Sequence, residues 1–127
     1  MVKPLMFMRW CEYYGLSDRE TDFISFFMMN FSAARSGNHP KLREQFVEIQ
    51  RKTFPEYPFD ITPEELDYSK FEGLMKQVLN IHFDTAELLY SFYLQKLCAP
   101  LAEYILSTGE SEPSRIYYEL IQKDKVR

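Results

Sequence analysis

Residues 84–107 read DTAELLYSFYLQKLCAPLAEYILS. Asp84, Thr85 and Glu87 form a box-like helix start. Beyond them Leu88, Leu89, Phe92, Tyr93, Leu97, Leu101, Tyr104 and Ile105 put apolar side chains on nearly every side. A helix that is apolar all round is buried, so 85–107 is predicted to be the central helix of an all-α fold. Pro100 cannot donate to the carbonyl of residue 96 and its ring collides with it, so a kink is expected in the turn before it. Thr108-Gly109 closes the segment.

The flanking sequence is helical as well. Residues 4–14 (PLMFMRWCEYY) fit a short helix, with Met6, Trp10 and Tyr13, or Phe7, Trp10, Cys11 and Tyr14, on one side and Gly15 as its stop. Ser17 with Glu20 makes a capping box for a helix to about Arg35. Its stripe is Phe23, Phe27, Asn30/Phe31 and Ala34, flanked by Ile24 and Met28, while Phe26 and Met29 point elsewhere. Ser36-Gly37-Asn38-His39 is a break, and Pro40 opens an amphipathic surface helix over 40–54 with Leu42, Phe46, Ile49 and Thr53 along one side. Pro55 and Pro58 mark a loop over 55–62. Thr62-Pro63-Glu64-Glu65 is a further helix start. It leads either to one helix reaching Phe83 or to a turn over 63–67 and a helix from Ser69, with Phe71, Leu74/Met75, Val78 and His82 at helical spacing. A last amphipathic helix spans about 112–123, with Ile116, Tyr117, Leu120 and Ile121 inward and a fraying tail after it. There is no strand alternation, hairpin dipeptide or internal repeat. About five to six helices in 127 residues make a compact, single-domain (1–127) all-α bundle.

Composition supports a folded chain. Leu, Ile, Val and Phe are 35 of 127 residues, above the fraction below which chains stay disordered. The longest run without charge, Phe23 to Ala34, has 12 residues, short of the roughly 20 that a membrane span needs. Lys3 is followed by too short an apolar stretch for a signal peptide. Cys11 and Cys98 sit among large apolar residues and are expected as buried free thiols in a reducing cytoplasm.

The search for chemistry is mostly negative. His39 and His82 belong to no metal-ligand spacing, and His82 with Asp84 falls on different sides of a helix end. A Cys98–His82 pair would have a thiol whose apolar neighbours raise its pKa. Glu64, Glu65 and Asp67 suit the first turn of a helix. With 4 scattered glycines there is no phosphate loop. No catalytic residue, cofactor or metal is expected. Residues 35–52 carry Arg35, Lys41, Arg43, Arg51 and Lys52 against Glu44 and Glu48, but the acidic segment that follows cancels this field, which weighs against nucleic acid.

That segment, residues 56–72, has a net charge of -5 and interleaves its acids with aromatics. Tyr57, Asp60, Glu64, Glu65, Asp67, Tyr68 and Glu72 form the candidate partner-binding surface: tyrosines supply contact area at low entropic cost, and the charge steers a basic partner. The doublets Tyr13-Tyr14 and Tyr117-Tyr118 add to it, since neighbours on a helix diverge by about 100° and cannot both face the core. In size, acidity and lack of catalytic apparatus the chain is similar to small bacterial or phage neutralising proteins, namely immunity proteins, antitoxins and enzyme inhibitors. The expectation is a cytoplasmic, non-enzymatic, protein-binding module that occludes a basic partner surface, without a membrane. The alternatives are a homodimeric helical regulator or adaptor, associating through 18–35 or 85–107, and a DNA-binding regulator using 40–54.

Overall fold

The computed structural model describes residues 6–37 and 39–126; Lys3, Pro4, Leu5, Asn38 and Arg127, which entered the sequence expectations, lie outside the described residues. Among the described residues the chain is all-helical, with seven helices: α1 (Phe7–Tyr13), α2 (Asp18–Ser36), α3 (Pro40–Thr53), α4 (Tyr68–Leu79), α5 (Thr85–Leu94), α6 (Ala99–Ser107) and α7 (Glu112–Lys125). No helix among them is long and apolar enough to cross a membrane.

Local chemistry sets most of the boundaries. Ser17 and Glu20 form the full reciprocal capping box of α2. Gly15, at φ 70°, closes α1 in the left-handed region that glycine adopts freely. Pro40 lies in the first turn of α3, and the His39 side chain accepts from the Lys41 amide. Asp84 caps α5 by accepting from the Glu87 amide at 3.0 Å. Ser111 does the same for α7.

The expected central helix is two helices. α5 stops at Leu94 and α6 begins at Ala99; between them Lys96 and Cys98 take left-handed backbone, at φ 57° and 54°. Pro100 does not kink a continuous helix but sits in the first turn of α6, where its missing N–H loses no intrahelical bond. The polar pair Gln95-Lys96 forms the turn, and the Gln95 side chain accepts from the Phe7 amide at 2.7 Å, tying this turn to the start of α1. This split raises the helix count above the five to six expected.

Tertiary contacts decide three smaller points. Of the two alternatives after Thr62, the turn followed by a separate helix is the one observed: Thr62 accepts from the Glu65 amide at 3.3 Å, and α4 begins at Tyr68 under the cap of Asp67, whose carboxylate accepts from the Lys70 amide at 2.8 Å. α4 ends at Leu79 because Asn80 is left-handed, so His82 is exposed in the following loop rather than on the helix. In α7, Ile121 is buried and Tyr117 and Leu120 half-buried, but Ile116 faces outward, and the helix continues to Lys125, which pairs with Glu103 of α6.

The largest difference is the rotation of α3. Leu42 and Ile49 are 45% and 50% exposed, whereas Val47 and Gln50 are buried. Gln50 decides this orientation. Its side chain donates to the Phe23 carbonyl at 3.2 Å and accepts from Asn30 Nδ2 at 2.8 Å. A buried amide so satisfied locks the helix, and α2 and α3 run antiparallel, with Phe26 beside Phe54 at 5.8 Å and Arg43 Nε donating to the Gly37 carbonyl at 3.3 Å.

The buried side chains form one connected cluster. Phe27 of α2 stacks on Phe31 at 4.2 Å and also touches Phe23, Phe59 and Phe71. Around α5, Phe92 packs on Phe7 of α1 at 4.7 Å. Gly109 allows α7 to begin close to α4: a Cβ there would overlap Ser114 Oγ and approach the Tyr68 ring to 3.1 Å. Gly109→Ala is therefore expected to cost about 1–3 kcal/mol, read as a lower urea midpoint with an unchanged denaturant slope.

Candidate functional site

The structure disperses the seven acidic and tyrosine residues picked from 57–72. Tyr68 is buried, at 7% exposure, with its amide donating to Thr108 Oγ1 at 2.8 Å; burial pushes its phenol up. Asp67 is the cap of α4. Glu72 pairs with Lys76 one turn on, at 3.6 Å. Tyr57 is half-buried, edge-on to Phe23 at 5.1 Å. Glu64 pairs with Arg43 at 2.8 Å; its own backbone N–H and this guanidinium hold its carboxyl below the usual range. Asp60 and Glu65 remain exposed, and neither forms an ion pair among the described residues. At the surface this stretch keeps Asp60, Glu64 and Glu65 exposed and Asp67 and Glu72 half-buried, with Asp60 and Glu65 the two outside the ion pairs and caps named above.

The basic residues of 35–52 are mostly engaged too. Arg35 lies over the Tyr104 ring at 3.9 Å and donates to the Pro63 carbonyl at 3.2 Å. Arg51 lies over Phe59 at 5.0 Å, and Arg43 holds Glu64. Lys52 approaches Glu48 at 3.8 Å. Three arginines thus glue α2 and α3 to the 59–66 segment, and the open groove between α3 and that segment is lined by both signs of charge.

The thiols are poor nucleophiles. Burial pushes both Cys11 and Cys98 up from the ordinary thiol range. Among the described residues no group of three His, Cys, Asp or Glu side chains is placed to hold a metal ion.

The structure instead assembles tyrosines and carboxylates elsewhere, on a face shared by α1, α5 and α7. Tyr90 and Tyr93, one turn apart on α5, are stacked at 6.2 Å with their planes 10° apart. Tyr117 of α7 packs on Tyr90 at 4.8 Å. Tyr14, at the end of α1, accepts from the Asp84 amide through its hydroxyl at 3.2 Å, and Tyr13 sits edge-on to it at 5.0 Å. Tyr93 donates its hydroxyl to Asp124 at 2.8 Å. Tyr14, Tyr90, Tyr93 and Tyr117 are half-buried, and Tyr13 is exposed.

Burial and nearby carboxylates both act on these phenols. Burial, with the charges of Asp84 and Glu87 added, pushes the Tyr117 phenol up to about 12. The hydrogen bond to Asp124 pushes Tyr93 up to about 12 as well, with burial adding to it. Burial raises Tyr90, and the Asp124 charge adds to that. A set of half-fixed phenol rings among carboxylates is suited to receive a cation, by stacking and by charge.

The doublets in the sequence pointed to Tyr13, Tyr14 and Tyr117. Tyr90 and Tyr93 were missed because they count as apolar in a run already assigned to the core, and Asp84 and Glu87 because capping accounted for them. Spacing gave no signal either: steps of three residues from the Asp84 cap through Glu87 and Tyr90 to Tyr93 drift by about 60° each around the helix, so no single apolar or polar stripe marks them. Tyr118 belongs elsewhere, beside Glu103 and Tyr104.

Compared with family models, curated proteins and solved structures, the chain matches none of them.

The raised phenols give a pH signature. A group whose pKa is higher folded than unfolded stabilises the fold below its unfolded value, near 10 for tyrosine, and that contribution is lost as pH rises through the folded value. In an alkaline absorbance titration of the 9 tyrosines, Tyr93 and Tyr117 should ionise last, near 12. Unfolding free energy should decline from about pH 10 upward, and Asp124→Asn should bring the Tyr93 step down.

Proposed function

We propose that this chain is a non-enzymatic protein-binding module that receives a basic segment of its partner on the α1–α5–α7 face and acts by covering that segment. The observation that carries this reading is the convergence of Tyr14, Tyr90, Tyr93 and Tyr117 from three helices, with the Asp124 carboxylate bonded to Tyr93 and the Asp84 amide to Tyr14. An arginine or lysine side chain entering there meets ring faces and carboxylates together. Tyrosine is over-represented among residues that dominate binding energy, and half-buried rings lose little freedom on contact. The carboxylates steer a basic partner and speed its association, which suits a neutralising, inhibitor-like role of the immunity or antitoxin kind. The non-enzymatic part is supported by the raised thiols and by the engagement of Asp67 in a cap and of Glu64 and Glu72 in ion pairs.

The test is capture of partners from the source cell on the immobilised protein at low and high salt. Asp124→Lys combined with Tyr90→Ala is compared with Asp60→Lys combined with Glu65→Lys. A stoichiometric protein partner is expected, weakened by high salt and bound about tenfold less tightly by the first variant, a loss of roughly 1.4 kcal/mol. Undiminished capture by the first variant sinks this face. A loss confined to the second moves the site to the 57–72 loop edge. Asp67 is left intact throughout, because replacing it uncaps α4.

A further inference from the structure

On the opposite flank of α3 from the 61–64 groove lies an apolar strip that the described residues leave largely uncovered. On α2 it consists of Phe26, Met29 and Ala33; on α3, of Leu42, Phe46 and Ile49. Phe26, Met29, Leu42 and Ile49 are 41%, 55%, 45% and 50% exposed, and Ala33 and Phe46 half-buried. In each helix these positions are three, four or seven residues apart, so they share a side. The cross-helix ties Asn30–Gln50, Phe26–Phe54 and Gly37–Arg43 place the two sides next to one another along one seam. The other side of α3, with Val47 and Arg51, is turned to Ile61, Thr62 and Pro63.

We infer that this strip is the contact face of a twofold dimer of the chain, in which α2 of one copy lies over α3 of the other and the four helices form an antiparallel bundle. Charge selects this arrangement. A twofold axis along the helices brings Asp18 and Asp22 of α2 to the end of the bundle that holds the second copy's Lys52, and sets Lys41 near Ser36. An axis across the helices would stack α3 on α3 and bring Lys41 of one copy towards Lys52 of the other. The selected arrangement also makes all nearest helix neighbours antiparallel, as in up-down bundles. The strip is self-complementary, as a twofold contact requires.

The area predicts the strength. A 14-residue helix such as α3 is about 21 Å long. Two such helices abreast on each copy bury on the order of 1,000 Å² in total, the lower end for specific interfaces. The dimer is therefore weak and concentration-dependent. It uses a different surface from the tyrosine face and does not depend on the function proposed for that face.

Sedimentation equilibrium of the whole chain, from low micromolar to near-millimolar concentration, tests this. The mass should rise from 15.2 kDa towards twice that value. Ile49→Glu, at an exposed position that leaves the core intact, should stay monomeric with an unchanged melting temperature at low concentration. Lys52→Glu should weaken the dimer several-fold, and adding Asp22→Lys should restore it. A wild-type mass that stays monomeric throughout overturns the proposal, whether or not a foreign amphipathic helix binds the strip. So does a dimer that survives Ile49→Glu. A double charge swap that does not restore association overturns the axis chosen here.

Discussion

Phe27 touches four other rings, drawn from its own helix, from the 54–61 loop and from α4. Everything else in that half of the molecule is arranged around this contact. Because Phe59 must reach Phe27 and Phe31, the proline-bearing loop is drawn back over α2 and α3. Arg51 then finds Phe59 beneath its guanidinium, and Arg19 reaches both Phe54 and Glu56. Removing a buried phenylalanine costs about 3–5 kcal/mol, against a total stability of about 5–15 kcal/mol for a domain. One ring therefore holds a sizeable share of the margin by which the chain folds.

Where a structural decision is local, the sequence shows it. The Ser17–Glu20 box, Pro40 and the Asp84 cap place three helix starts almost to the residue. The α2 core stripe is also legible, since Phe23, Phe27, Phe31 and Ala34 are all buried. The decisions that stay hidden depend on a distant partner. α3 turns its most hydrophobic-looking side outward because Gln50, a polar residue by composition, finds both of its hydrogen-bond partners on α2. The 85–107 run divides because Gln95 is needed at the amide end of α1 and Pro100 is tolerated once a new helix begins there. Periodicity records that a residue is apolar, not which neighbour it meets.

The same limit applies to the candidate site. Acidic and aromatic residues that are close in sequence, as in 56–72, separate in space into caps, core and ion pairs. Those that converge come from three helices spread over more than a hundred residues. Arg35, Arg43 and Arg51 are all tied to the 59–64 segment, which likewise could not be read from their positions in the sequence. The tyrosine face and the apolar strip lie on different helices. The first mixes phenols with carboxylates and the second is apolar, and they differ in the partner each can take.

Trp10 is the chain's one tryptophan. It is fully buried between Tyr14 and Phe83, and its Nε1–H has no hydrogen-bond acceptor among the described residues. A buried donor left unpaired costs about 1–3 kcal/mol, and α1 has 7 residues, too few to be helical alone. The helix is thus held by the burial of Phe7, Trp10 and Cys11, by ring packing and by the Gln95 contact, against a standing penalty. Its indole is at the same time the molecule's only such fluorophore. Light emitted from this chain therefore reports on one event above all, the seating and unseating of its first helix, and a red shift that precedes any loss of helical circular dichroism is that helix leaving the fold.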